Sequence, residues 1–71
     1  MNFETIKWDN LKLRDKVLIS NIETGLTGFQ LVSKLYSSNS SIIYLLKSLS
    51  DDREVKYIAN TNQTVYLITD L

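Results

Sequence analysis

Residues 31–55, LVSKLYSSNSSIIYLLKSLSDDREV, constrain the fold of this chain more than any other stretch. Apolar side chains at Leu31, Val32, Leu35, Ile42, Leu46 and Leu49 straddle a polar break from Ser37 to Ser41 and recur three or four positions apart within each half. That period places them on one face of a helix, so the stretch predicts two helices joined by a short turn. The two runs that follow, 55–59 and 64–68, have strand character and flank a polar tip of Asn60, Thr61, Asn62 and Gln63. They predict a β-hairpin trailing the second of these helices.

The remaining segments complete the pattern. Residues 2–7 carry Phe3, Thr5 and Ile6 and predict a short N-terminal strand. Asp9 is placed to cap a helix over about 9–24, with Trp8 before the cap packing on Leu13, and Gly25 is a natural stop. Leu11, Val17, Leu18 and Ile22 then share a stripe. Further helices are expected at about 27–36 and 40–51, and the hairpin at 55–68. The predicted architecture is a single α+β domain over 1–71, with three helices and a C-terminal hairpin.

Composition narrows the chemistry. Eight basic and eight acidic side chains give a net charge of zero, unlike proteins that hold nucleic acid mainly by neutralising phosphates. Lys7, Lys12, Arg14 and Lys16 crowd the first third, whereas Asp51, Asp52 and Glu54 cluster late. Without cysteine or histidine, disulfides, thiolate metal sites and the commonest general base are excluded. No motif positions a serine, lysine or carboxylate for catalysis, so neither an enzyme nor a cofactor is expected. The apolar runs fall short of a membrane span, and MNFETIKWDN lacks the apolar core of a signal peptide. A cytoplasmic, intracellular protein with no membrane partner is the expectation.

The stretch 31–55 is similar to the winged helix-turn-helix superfamily. Leu31 and Val32 stand where that pattern has a leucine–alanine pair, and Leu35 closes the first helix. Ser38, Ser40 and Ser41 take the turn and cap positions, and Ile42, Leu46 and Leu49 take the buried sites of the recognition helix. Tyr36 and Arg53 occupy places usually held by glycine, where the backbone is left-handed. The resemblance implies a small transcriptional regulator that binds double-stranded DNA sequence-specifically, as a homodimer or beside a second protein.

On that reading Asn39, Ser40, Ser41, Tyr44 and Lys47 of the third helix reach base edges or phosphates. Thr27, Gln30 and Lys34 anchor the second helix, and Asn60 and Asn62 carry the wing tip. The same serines and asparagines also suit plain capping and turn roles, and the lysines suit a solvated face. Ile43 beside Tyr44 gives the outward face apolar character. It supports the alternative of a protein-interaction module that docks on a partner through Ile43, Tyr44 and Lys47 with little DNA binding.

Overall fold

A computed structural model of the chain describes residues 2–21 and 25–69. Six strands follow one another: β1 (Phe3–Lys7), β2 (Lys16–Asn21), β3 (Gly25–Ser37), β4 (Ser41–Ser48), β5 (Glu54–Asn60) and β6 (Thr64–Ile68). A single 3-10 turn, Trp8–Asn10, follows β1, and there is no α-helix among the described residues. The strands form one sheet in the order β1-β6-β2-β3-β4-β5, with every neighbouring pair antiparallel.

This overturns the three-helix α+β expectation and with it the winged helix-turn-helix resemblance. The region 9–24 holds the 3-10 turn and β2, its last residues 22–24 lying outside the described residues. The region 27–36 lies within β3, and 40–51 holds β4 and a turn. The runs at 55–59 and 64–68 are strands, but they are not each other's partners: β5 pairs with β4, while β6 inserts between β1 and β2. No wing is formed. The left-handed positions also differ, falling on Arg14 (φ 74°), Asp52 (φ 61°) and Gly25 (φ 74°), whereas Tyr36 lies inside β3.

The physical reason is clearest in β4. Its sequence SIIYLLKS is apolar at every position from Ile42 to Leu46, so a helical stripe through 42, 46 and 49 and a strand alternation through 42, 44 and 46 fit equally well. Long-range pairing decides between them. β4 has hydrogen-bonded neighbours on both sides, and Ile42, Tyr44, Leu46 and Ser48 are buried while the residues between them are half-buried. A central strand tolerates apolar residues on both faces in a way that a surface helix does not.

β3 is 13 residues long and loses register with β4 between Leu31 and Ser33 and again between Lys34 and Tyr36. Such bulges bend a strand and increase its twist, which lets the sheet coil over its own inner face. Trp8, Leu11, Val17, Leu31, Ile42, Tyr44, Leu46, Ala59 and Val65 gather there into one core. The coiling brings the opposite ends of the strand order together. Trp8, directly after β1, stacks on Tyr57 of β5 with ring centroids 5.0 Å apart. The Tyr44 hydroxyl donates to the Trp8 carbonyl at 2.5 Å, and burial pushes the phenol pKa up, with the charge of Asp9 adding to the effect. Trp8 therefore acts as the latch of a partly closed barrel.

Candidate binding cleft

The closure is incomplete, and the gap is the most distinctive feature of the surface. β2 and β6 pair only at Val17↔Leu67 and Leu18↔Tyr66. Past Leu18 they part, although β2 continues against β3 as far as Asn21↔Gly25. Among the described residues, the β6-facing edge of β2 is therefore without a strand neighbour over its last three residues. A cleft of about 610 Å³ opens there, with Ile19 and Ser20 on one wall and Thr64 and Tyr66 on the other. Tyr57 and Trp8 lie at its base. Asn62 and Gln63 border it, and the Gln63 carbonyl accepts the Trp8 N–H at 3.1 Å, fixing that rim to the latch.

A second groove of about 430 Å³ adjoins the first, the two sharing Ile19 and Tyr57. Thr27, Phe29 and Val55 line it, with Asp51 and Arg53 at its edge. Those two charges are paired: Arg53 Nε lies 2.8 Å from Asp51 Oδ2, and the Arg53 backbone N–H donates to Asp51 Oδ1 at 3.2 Å. The backbone N–H is the main cause holding the Asp51 carboxyl below its ordinary value, helped by the Ser48 hydroxyl and the guanidinium. Any stability linked to this turn is present above the ordinary aspartate range and is lost as pH falls through the lowered value. A carbon-detected NMR titration should place Asp51 below about 3.9, the usual aspartate value. Arg53→Ala should keep part of the depression, since its largest cause is main-chain and the Ser48 hydroxyl remains.

The residues singled out from sequence are scattered differently. Tyr44 is buried in the core and is unable to present itself to a partner. Ile43 is half-buried on the outer face, opposite Tyr36 and Ile58. Lys47 lies 3.9 Å from Asp52, Gln30 donates to the Arg14 carbonyl at 3.2 Å, and Lys34 is exposed on β3. Asn39 and Ser40 lie in the β3–β4 turn and Ser41 opens β4, and the Ser38 hydroxyl accepts the N–H groups of Ser40 and Ser41 rather than capping a helix. That turn meets the β5–β6 turn, where the Thr61 hydroxyl donates to the Asn39 carbonyl at 3.0 Å and the Thr61 N–H to the Ser40 carbonyl at 3.1 Å. Asn60 ends β5 at this junction. Of the whole set, Thr27 and Asn62 line the cleft system.

Ile19, Ser20, Tyr57, Thr64 and Tyr66 were missed. The signal for Tyr57 was the alternation of Val55, Tyr57 and Ala59 with Lys56, Ile58 and Asn60. The parting of β2 from β6 has no sequence signal.

Among the described residues, hydroxyls, amides and aromatic rings line the larger cleft and no charged side chain does, an arrangement suited to hydrogen bonding and stacking. Among the described residues no group of three or more histidine, cysteine or acidic side chains is placed to hold a metal ion. No helix among them is long and apolar enough to cross a membrane. Comparison with protein-family models, with curated proteins and with solved structures finds no match to this chain. The sequence-specific DNA regulator is thus withdrawn, because the recognition helix it requires is strand β4 with Tyr44 turned into the core. Docking on a protein through a third helix is withdrawn for the same reason.

Proposed function

We propose that this chain is a small β-domain for peptide recognition, taking an extended, uncharged segment of a partner polypeptide into the cleft between β2 and β6. The observation that carries the reading is the strand edge from Ile19 to Asn21, which has no strand neighbour among the described residues on the cleft side. An added strand there gains main-chain hydrogen bonds on an edge already aligned by β3, and alternate side chains find pockets. Tyr57 and Ile19 offer the apolar contact, while Ser20, Thr64 and Asn62 offer polar ones. With no charged side chain among the described residues lining the larger cleft, a charged segment would lose its hydration without an ion partner there.

The test is a titration of the isotope-labelled chain with a capped, alternating threonine–valine hexapeptide and, in parallel, a lysine–glutamate hexapeptide. Amide shifts at Ile19, Ser20, Tyr57 and Thr64 are expected with the first peptide, at least tenfold weaker with the second. Absence of shifts with the neutral peptide at millimolar concentration, or equal response to both, would refute the reading.

A further inference from the structure

A different edge of the sheet carries a second site. β5 ends the strand order, so one of its two edges has no strand neighbour among the described residues. Ile58 stands one residue past the midpoint of the strand and is 71% exposed, more than any other exposed large apolar side chain among the described residues. It is also the end of an apolar row on the outer face, because β3–β4–β5 pairing sets Tyr36 beside Ile43 and Ile43 beside Ile58. Isolated exposed apolar residues are ordinary, but an apolar row running out to an unpaired strand edge is the geometry that invites another strand.

We propose that the occupant is a second copy of this chain, joined by antiparallel β5–β5 pairing about a two-fold axis through Ile58. Two copies related in this way keep their outer faces on the same side, so only registers that pair residues of like face are available. Centring on Ile58 sets it against the partner's Ile58 and makes the apolar row continuous across both sheets. Lys56 then faces the partner's Asn60, and the two Lys56 side chains are about 13 Å apart along the ladder. Centring on Lys56 opposes two lysines, which is destabilising, and centring on Tyr57 sets Lys56 against Ile58. Lys56, which blunts this edge against indiscriminate pairing, thus also selects the register. The overlap spans residues 56–60, an ordinary strand length. A net charge of zero leaves no long-range repulsion between copies.

The full chain, which has no cysteine of its own, suits a crosslinking test. Residues paired across an antiparallel ladder have Cα atoms within disulfide range. Under mild oxidation Ile58→Cys should form a covalent dimer at least tenfold faster than Lys56→Cys or than Leu13→Cys, the last an exposed position in the loop before β2. In sedimentation equilibrium the parent should approach twice its 8.2 kDa mass with rising concentration, and Ile58→Lys should weaken that association at least tenfold. Ile58 is exposed, so thermal melts of its variants should match the parent's once association is accounted for. A parent that stays monomeric at millimolar concentration, unchanged association in Ile58→Lys, or Lys56→Cys crosslinking faster than Ile58→Cys would each overturn the proposal. These results are independent of the peptide titration, which reads the edge of β2.

Discussion

Tyr44→Lys should leave the chain largely unfolded at 25 °C, whereas Leu45→Thr, one position along, should cost only about 1 kcal/mol. Tyr44 is fully buried, with its ring centroid 5.7 Å from that of Trp8 and its hydroxyl spent on the Trp8 carbonyl. Emptying such a site costs about 3–5 kcal/mol, and a lysine left there adds the burial of an unpaired amine. A chain of this length has roughly 4–11 kcal/mol of stability to lose. Leu45 lies half-buried on the outer face between Ser33 and Lys56, where a β-branched threonine is well accommodated. Urea unfolding followed by far-ultraviolet circular dichroism separates the two variants. A helix over 40–51 that buries Ile42, Leu46 and Leu49 also turns Leu45 inward and Tyr44 outward and demands the opposite order, so equal or reversed effects would reject strand β4.

Trp8→Ala is expected to be the next most damaging change, at about 3–5 kcal/mol and a fall of more than roughly 12 °C in melting temperature. Trp8 is only 3% exposed despite its size, and its ring is the contact by which the segment after β1 holds β5. Stacking on Tyr57 contributes about 0.5–1.5 kcal/mol beyond the area buried. Its backbone bonds to Gln63, Leu11 and Tyr44 remain available to an alanine, so the loss is concentrated in the side chain. Trp8→Phe keeps a ring in the slot and should recover at least half of the stability. Because Trp8 and Tyr57 also lie at the base of the larger cleft, Trp8→Ala should abolish the response to the threonine–valine peptide even where the fold persists. Calorimetric melts and the peptide titration measure both effects.

Much of the linear organisation was legible. The polar runs around 37–41 and 60–63 are turns because serine and asparagine side chains bond to nearby main chain, as Ser38 does to the N–H groups of Ser40 and Ser41. A compositional hint toward strands was also present: the chain has one alanine against seventeen isoleucine, valine and threonine residues. The spacing of Leu31, Leu35, Ile42, Leu46 and Leu49 points to helices against that composition. In β3 the spacing misled because bulges shift which residues face inward: Leu31 is buried, while Leu35 and Val32 are exposed. A bulged strand can imitate a three-or-four-residue period over one turn of helix.

The cleft was not legible at all: Thr27 and Asn62 line the cleft system, but in the sequence they stand out only as polar residues of an expected helix and turn. Ile19 and Thr64 are distant in sequence and become opposite walls only because β6 enters between β1 and β2 and then leaves β2 after two paired residues. Likewise, Ile58 reads as one side of a hairpin until the pairing leaves β5 at the sheet edge.

By itself, the sequence determined the chemical inventory: no thiol or imidazole, balanced charge, and polar breaks at which an apolar chain must turn. These follow from side-chain identity and from bonds between near neighbours. Only the tertiary structure decided between helix and strand, the face to which Tyr44 belongs, and which strand edges remain open. Those outcomes rest on hydrogen-bonded partners and buried contacts far along the chain, and a locally ambiguous apolar run takes its conformation from the neighbours that bury it.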